Sequence, residues 1–226
     1  SGAGIAAAWK TLNSARAVLE EYVPFRSEIS VVGVRGGDGA TALYDPVAHR
    51  HANHILDVSI YPAPVSTSTR NAAHEIARAV LEGLQVIGVL CVEMFELQDG
   101  SLVVNEIAPR PHNSGHLTID AHVCSQFEQQ VRAVCGLPLG STAAHARAAA
   151  MANLLGDVWS KGEPDWSAAL ATPGLQLHLY GKEGPQIGRK MGHMTVPGAD
   201  WATAERVVLA SREALASHRS PAWTPR

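Results

Sequence analysis

The sequence has no excess of positive charge, no long apolar run and no paired cysteines, and each absence excludes a class of protein. Its 18 basic and 21 acidic residues give a formal net charge of −3, which argues against a domain built to bind nucleic acid. No apolar run reaches the roughly 18 residues that a membrane span requires, and no basic-then-apolar leader opens the sequence. We therefore expect a cytoplasmic protein that binds neither nucleic acid nor a membrane.

Disulfide and metal-binding motifs are also missing. The three cysteines, Cys91, Cys124 and Cys135, are scattered without a CxxC pair, so we expect small core thiols in a reducing compartment. The 11 histidines are spread along the chain, and no HExxH motif is present. What the sequence does have is a globular composition, with 46% hydrophobic and 17% charged residues over 226 positions. That length is enough for one large core or two small domains.

Runs of alternating apolar and polar residues predict an α+β protein rich in antiparallel hairpins. Gly-containing turns after residues 35 and 97 each join two predicted strands into a hairpin. The predicted strands lie at residues 17–23, 27–35, 41–44, 57–61, 86–97, 101–107, 175–180 and 192–196.

Helical spacing and capping residues predict the helices. Alanine content indicates a helix over residues 6–17, and cap candidates at residues 66–69 precede an apolar repeat that ends near Gly83. A later helix has an apolar stripe formed by Val123, Phe127, Val131 and Val134, and the last helix covers residues 202–216. We expect the helices on one side of the sheet.

An alanine-rich stretch at residues 143–150 divides the sequence into two units. We expect a first domain at residues 1–145, a second, smaller domain at residues 146–216, and a tail at residues 217–226. The linker is expected to bring Lys182 and Arg189 of the second domain towards Arg110 and His112.

Two glutamates interrupt strongly apolar strands of the first unit. Glu93 lies in one strand and Glu106 in the next, and a tight hairpin through Asp99 and Gly100 brings neighbouring strands within about 5 Å. A carboxylate in a buried strand is costly unless it is paired or bound to a cation. Two protein carboxylates with phosphate oxygens are a usual Mg²⁺ arrangement. The alternative is two solvent-facing glutamates on a half-exposed sheet.

A dense group of polar side chains follows the second of these strands: Arg110, His112, Asn113, Ser114 and His116. Arginine binds oxyanions through two parallel hydrogen bonds, and the other residues add directional donors. The group therefore indicates a phosphate or carboxylate pocket. A plain polar loop is the alternative.

Two further clusters have the composition of nucleotide or phosphate sites. Lys182, Arg189 and Lys190 surround a Gly-rich turn between two strands, which indicates either a phosphate site or a solvated hairpin tip. Glu20 and Glu28 flank an apolar linker. This pattern is suited to adenosine, with adenine against the linker and the ribose hydroxyls on a carboxylate.

These clusters, in this order, resemble one enzyme family. The matching segments are V-L-E-E-Y-V-P-F-R-S-E-I-S-V, I-G-V-L-C-V-E-M-F, V-N-E-I-A-P-R-P-H-N-S-G-H, S-Q-F-E-Q and L-H-L-Y-G-K with G-R-K-M-G-H. They are similar to segments of the ATPase subunits of phosphoribosylaminoimidazole carboxylase, a family of the ATP-grasp superfamily. The resemblance extends from about residue 17 to residue 214, and the A-P-R-P-H-N-S-G-H run is its most specific part.

The resemblance implies a fold and a reaction. The fold is the C-terminal subdomain of ATP-grasp, an antiparallel sheet with helices, followed by a small β-rich C-terminal domain. In the reaction, ATP phosphorylates bicarbonate to carboxyphosphate, and the amine of 5-aminoimidazole ribonucleotide captures the activated carbon dioxide. The product is N5-carboxyaminoimidazole ribonucleotide, an intermediate of de novo purine synthesis. ATP, Mg²⁺ and a homodimeric assembly are implied as well.

The resemblance also implies roles for individual residues. On the ATP side these are Glu20, Tyr22 and Val23 for adenine, Glu28 for ribose, and His51. The metal ligands are Glu93 and Glu106. The catalytic residues are Arg110, His112 and Asn113, which bind bicarbonate and substrate together with Ser114, while Lys182, Arg189 and Lys190 hold the ribonucleotide phosphate.

The sequence departs from the family in two places. The family's phosphate-covering glycine loop is represented at most by Ser1–Gly4, without its lysine, and the family's Glu-Asn-x-His segment matches only at His51. We therefore expect the C-terminal two-thirds of such an enzyme, catalytically incomplete by itself. The alternative is a truncated, non-catalytic module that acts in dimerisation or interaction.

Overall fold

The computed structural model describes residues 2–12 and 16–217. Apart from Ser217, the predicted tail at residues 217–226 lies outside this range. Within it, nine strands pair into one antiparallel sheet, in the order β6-β5-β1-β3-β4-β7-β9-β8, with β2 paired to β1. The strands are β1 (Ser27–Arg35), β2 (Thr41–Leu43), β3 (Val47–Ala52), β4 (Ile55–Tyr61), β5 (Gly88–Glu96), β6 (Leu102–Ala108), β7 (Ala148–Leu155), β8 (Gln176–Leu179) and β9 (Lys190–Gly198).

The mixed helix and antiparallel-sheet class and both predicted hairpins are confirmed. Strands β1 and β2 pair with Gly33 opposite Leu43, and β5 and β6 are joined by a turn in which Gly100 adopts a positive φ of 82°. Glycine suits this turn because a Cβ disfavours positive φ. The local turn chemistry was therefore sufficient to predict both hairpins.

Helices cover both faces of the sheet, so the expectation of helices on one side is wrong. The helices are α1 (Gly2–Leu12), α2 (Thr67–Gly83), α3 (Thr118–Ala121), α4 (Gln126–Val134), α5 (Trp166–Leu170) and α6 (Trp201–Ser217). Helix α2 packs on Ile29 and Val31 of β1. Residue pairing across β3, β4 and β7 places α6, which packs on Ile60 and Ala150, on that same face. Helix α4 packs on the opposite face, against Val32 and Val34.

The two predicted units share this sheet. Strand β7 pairs with β4, with Val58 opposite Ala152, and continues the sheet towards β9 and β8. The last part of the predicted linker is wrong because Ala148, Ala149 and Ala150 begin β7 and are fully buried. Small side chains at these positions let helices and the polar segment after β6 approach the sheet closely.

The start of the sequence differs from prediction. The first helix covers Gly2–Leu12 instead of residues 6–17, so Gly2–Gly4 form helix rather than a loop. Residues 17–23 form no strand, and the side chains of Val18 and Leu19 are 85% and 81% exposed. Together with Ile5, Trp9 and Leu12 they line an open apolar groove of about 310 Å³. This groove lies outside the four hydrophobic clusters of the sheet.

Helix α4 buries the side-chain amides of its glutamines and exposes its apolar stripe, whereas an apolar stripe on a helix usually faces the core. Gln126 and Gln129 are fully buried, whereas Val131 and Val134 are each 56% exposed. The Gln129 amide donates to and accepts from the backbone of Gly140. Burial of these amides is tolerated because their polar atoms are hydrogen bonded.

No helix within the described ranges is long and apolar enough to cross a bilayer.

His122 is a buried histidine whose ring nitrogens both lack a hydrogen-bond partner among the described residues. Its ring packs edge-on against Tyr44 and Tyr61. Burial, reinforced by His145 and opposed by Asp45, lowers the pKa of His122 to about 4. The folded protein therefore holds this imidazole neutral at pH values where the unfolded chain protonates it.

We predict that His122→Phe reduces the loss of stability at acid pH. Below pH 6.5 the unfolded chain binds a proton at His122 that the folded protein does not, so acidification favours unfolding. This linkage amounts to roughly 1–2 kcal/mol between pH 7 and pH 5. Urea unfolding of the variant at both pH values should show a change in the free energy of unfolding that is smaller by about this amount.

The matched control is His54→Asn, at an exposed residue with a φ of 62° that asparagine tolerates. It should leave the pH dependence as in the unmodified protein. An equal pH dependence in His122→Phe would contradict the prediction.

Candidate active site

Glu93 on β5 and Glu106 on β6 are directly opposite one another in the antiparallel register. Because paired residues project to the same face of a sheet, this register agrees with the expectation that both carboxylates point to one side. Glu93 is half-buried and Glu106 is exposed. The pKa of Glu93 is raised, first by burial and then by the carboxylates of Glu106 and Glu28. Three negative groups therefore act on one another here.

The polar segment after β6 lies over this face of the sheet. His112 donates from Nε2 towards Oε1 of Glu93, with 3.2 Å between the two atoms. A short 3-10 turn, Asn113–Gly115, follows. Gly115 is needed for the close packing here, since a Cβ at this residue would lie 2.6 Å from Oε1 of Gln126.

Gln126 fixes the conformation of this polar segment from α4. Its Oε1 accepts from the backbone N–H of His112 at 2.9 Å, and its Nε2 donates to the carbonyl of His112 at 2.7 Å. Nε2 also donates to Nδ1 of His116 at 2.9 Å. The composition of the polar segment gave no indication that a buried glutamine would hold it.

Asn113 connects the polar segment to the second half of the sheet. Its side-chain amide exchanges two hydrogen bonds with the amide of Asn153 on β7, at 3.0 and 2.8 Å. Asn153 is 1% exposed and also donates to the carbonyl of Leu56. Sequence reasoning missed Asn153, although one asparagine inside an alanine and leucine strand is a detectable signal.

The predicted basic residues divide into two groups. Lys190, at the start of β9, is half-buried, and its pKa is lowered by burial and by Arg110 and Lys182, while Glu93 raises it. These electrostatic interactions show that Lys190 lies near Glu93 and Arg110. Lys182 donates to the carbonyl of Lys190 at 2.8 Å.

Arg189 is turned away from this group. Its guanidinium donates to the carbonyls of Glu183 and Gly184, at 2.8 and 3.2 Å, within its own exposed turn. Arg189 therefore caps the turn, and the structure does not bring its charge to the carboxylates.

On the predicted ATP side, a carboxylate oxygen of Glu28 on β1 contacts Nδ1 of His51 on β3. Glu20 and Tyr22 are exposed, and Val23 is partly buried, in an irregular segment before β1. Tyr22 and Val23 line an open cleft of about 450 Å³ against the β5–β6 turn.

Further buried polar side chains lie beneath the carboxylates and were missed by sequence reasoning. Ser30 of β1 hydrogen bonds to Ser114 at 3.0 Å and to Nε2 of His49 at 2.8 Å. Nδ1 of His49 lies 3.2 Å from the hydroxyl of Ser59 on β4, and burial lowers the pKa of His49 to about 3. Polar residues inside otherwise apolar strands were the available signal.

Two clusters have the residue types of a transition-metal site but lack its chemistry. In the first, Cys91 lies near Glu93 and His112, but burial raises the pKa of its thiol to about 12, and a protonated thiol is a poor ligand. In the second, His178 donates to Asp120 at 3.0 Å and stacks on His193. Because Nε2 of His178 donates to Asp120, this nitrogen carries a hydrogen and offers no lone pair to an ion.

The arrangement as a whole sets carboxylate oxygens opposite positive side chains. Glu93 and Glu106 offer oxygens to a hard cation, and Lys190 and Arg110 attract an anion beside it. A divalent cation with its phosphate oxygens satisfies both sets of charges.

Comparison with known proteins agrees with this chemistry. The family model for the ATP-grasp domain matches residues 1–127, and that for the phosphoribosylaminoimidazole carboxylase C-terminal domain matches residues 149–207. N5-carboxyaminoimidazole ribonucleotide synthase of Brucella melitensis is 45% identical over 188 residues, which cover 83% of this chain and 51% of that protein. The Bacillus subtilis enzyme of the same name is 43% identical, over 81% of this chain and 48% of its own length. The chain thus spans about half the length of these relatives.

Solved structures give the same result. The synthetase of that name from Thermus thermophilus superposes with a TM-score of 0.84 at 39% identity, over 99% of this chain and 59% of that one. The Aspergillus clavatus synthase, in complex with ADP and 5-aminoimidazole ribonucleotide, gives a TM-score of 0.83 at 31% identity, over 95% of this chain and 58% of that one. The chain therefore belongs to the ATP-grasp family, in a form similar to the N5-carboxyaminoimidazole ribonucleotide synthases.

Proposed function

We propose that this chain supplies the metal-binding and substrate-binding part of an N5-carboxyaminoimidazole ribonucleotide synthase. ATP phosphorylates bicarbonate, and the resulting carboxyphosphate carboxylates the amine of 5-aminoimidazole ribonucleotide, releasing ADP and phosphate, in de novo purine synthesis in the cytoplasm. The observation that carries the proposal is the pair of facing carboxylates, Glu93 and Glu106, beside the cations Lys190 and Arg110. Phosphoryl transfer depends mainly on such placement of charge.

Glu93 and Glu106 are proposed to hold Mg²⁺. Both offer hard oxygen donors, and the pKa of Glu93 is raised first by burial and then by repulsion from Glu106 and Glu28, which a divalent cation would offset. When bound, Mg²⁺ would neutralise charge on the ATP phosphates. The chain itself would contribute the orientation of these two carboxylates, with His112 holding one oxygen of Glu93.

Arg110, His112, Asn113 and Ser114 are proposed to form the bicarbonate and substrate pocket, with the first three as the catalytic residues. Arg110 and Lys190 act on the same carboxylate, Glu93, which supports an anion bound between them. Hydrogen bonds from Gln126 and Asn153 hold the polar segment in place before substrate arrives.

Lys182 and Lys190 are proposed to bind the ribonucleotide phosphate. Arg189 would join them only after releasing the carbonyls of its own turn. On the ATP side, Tyr22 and Val23 would meet adenine along the cleft beside the β5–β6 turn.

Glu20 is proposed to lie on the adenine side and Glu28 to bind ribose. His51, which contacts Glu28, would orient that carboxylate. We propose residues 1–145 as the ATP-grasp part and residues 146–216 as the C-terminal domain.

We predict that Glu106→Gln lowers turnover by at least about two orders of magnitude, because a clamp on the transferring phosphoryl group loses one charge. The assay follows ADP release with ATP, Mg²⁺, bicarbonate and aminoimidazole ribonucleotide, with a separately made N-terminal half added. Glu75→Gln is the matched control, since this exposed glutamate lies on α2, on the other face of the sheet. Near-normal turnover in Glu106→Gln would exclude the metal role.

We predict that residues 1–226 alone form no product and that addition of the N-terminal half restores activity. An ATP-grasp enzyme holds its nucleotide between two subdomains and must keep water from carboxyphosphate. The exposed apolar groove of Ile5, Trp9 and Val18 is a surface for such a complement. Full activity of the chain alone would overturn the incomplete-enzyme interpretation.

A specific observation supports the second candidate, a module that self-associates. The exposed side of α4 carries Phe127, Val131 and Val134, and Val123 lies just before the helix. These four side chains are between 40% and 62% exposed. An apolar stripe of this kind is typical of an interaction surface. A homodimer formed through α4 is also compatible with activity, so only the activity assay separates the non-catalytic module from the enzyme.

We predict that Val131→Glu converts a dimer to a monomer in sedimentation-velocity experiments at micromolar concentration, because a carboxylate would be buried between two copies. Ala79→Glu is the control, since it adds the same charge at an exposed position of α2. A dimer that persists in Val131→Glu would rule out this face.

A further inference from the structure

Six polar side chains form a continuous hydrogen-bonded row across the sheet beneath the candidate active site. The row is Ser59, His49, Ser30, Ser114, His112 and Glu93, and its successive contacts measure 3.2, 2.8, 3.0, 2.9 and 3.2 Å. The three serines are at most 1% exposed. Water therefore does not compete for the serine hydroxyls, and each hydroxyl hydrogen is committed to one partner of the row.

The contacts of His112 determine which atom donates and which accepts along the row. The backbone N–H of Ser114 points at Nδ1 of His112 from 3.4 Å, and a backbone N–H can only donate. Nδ1 therefore carries a lone pair and no hydrogen. The hydroxyl of Ser114, 2.9 Å from the same nitrogen, must donate to it. The ring is then a neutral imidazole with its hydrogen on Nε2, facing Oε1 of Glu93.

The remaining directions follow by elimination. Ser114 has one hydroxyl hydrogen, already given to His112, so Ser30 must donate to Ser114. Ser30 has then given its own hydrogen, so Nε2 of His49 must donate to Ser30. In the neutral ring, Nδ1 of His49 carries no hydrogen and therefore accepts a hydrogen bond from the hydroxyl of Ser59. The protonated thiol of Cys91, 3.4 Å from Ser114, fits the oxygen's remaining lone pair.

We propose that Ser59, His49, Ser30 and Ser114 are positioning residues that hold His112 in its Nε2–H tautomer. In this form His112 is a hydrogen-bond donor to Glu93, not a base, and it engages Oε1 while leaving Oε2 of the same carboxylate available. That Oε2 serves a metal rests on the proposed function, whereas the tautomers rest on the hydrogen-bond geometry alone. Groups that orient a metal-binding carboxylate in this way are common around metal sites.

The test is the tautomer of each ring, read from two-bond ¹H–¹⁵N correlation spectra of the ¹⁵N-histidine-labelled chain at pH 7. In the unmodified protein, Nε2 of both His49 and His112 should have pyrrole-like shifts and both Nδ1 atoms pyridine-like shifts. Ser114→Ala should change the tautomer of His49 as well, although Ser114 does not contact His49. With Ser114 lost, the Ser30 hydroxyl is free to donate to His49 Nε2, so His49 should convert to a mixture containing the Nδ1–H form.

Thr195→Val is the matched control, because it removes another fully buried hydroxyl on β9 that has no partner among the described residues. It should leave both tautomers unchanged. If Ser114→Ala does not fold, Ser30→Ala is a second test. In this variant the Nε2–H of His49 loses its acceptor, so His49 should become a mixture of tautomers. His112 still accepts a hydrogen bond from Ser114 and should keep its tautomer.

An Nδ1–H tautomer at either ring in the unmodified protein would overturn the proposal. So would folded Ser114→Ala protein in which His49 keeps its original nitrogen shifts. These spectra require neither ATP nor the N-terminal half. An inactive enzyme with the expected tautomers would therefore contradict only the proposed function, and an active enzyme with the wrong tautomers would contradict only the positioning row.

Discussion

The constraint on which this site depends is the cost of holding a half-buried carboxylate beside others of the same charge. Burial and repulsion from Glu106 and Glu28 raise the pKa of Glu93. Two kinds of interaction offset this cost. His112 donates an N–H to one oxygen, and Lys190 and Arg110 supply positive charge nearby. The face of the sheet that carries Glu93 is therefore polar around this carboxylate, although α4 packs on apolar residues of the same face. The opposite face is packed with α2 and α6.

The polar segment after β6 stays in place because buried amides hold its backbone. Gln126 satisfies both the N–H and the carbonyl of His112, and Asn153 pairs with Asn113 from the far half of the sheet. Breaking either contact would leave a buried amide unsatisfied, at a cost of about 1–3 kcal/mol. The site is thus preorganised by residues from β7 and α4 that need not touch a substrate themselves.

The two halves of the chain meet through backbone pairing rather than through a flexible linker. Strand β7 joins β4 directly, so Lys190 on β9 is held in a fixed relation to Glu93 on β5. The apolar stripe of α4 has helical spacing, as predicted. Tertiary packing nevertheless buries the adjacent glutamines, whose amides satisfy the backbone of His112 and Gly140.

The sequence by itself determined the local features: the α+β class, the two hairpins and the opposition of Glu93 to Glu106. Turn residues and alternating patterns act over a few residues, so one chain segment contains all the information they need. Only the tertiary structure decided that helices cover both faces, that Ala148–Ala150 begin a strand, and that Lys190 rather than Arg189 faces the carboxylates. These features depend on pairing between residues as far apart as Val58 and Ala152, and a periodicity within one segment carries no information about a partner at such a distance.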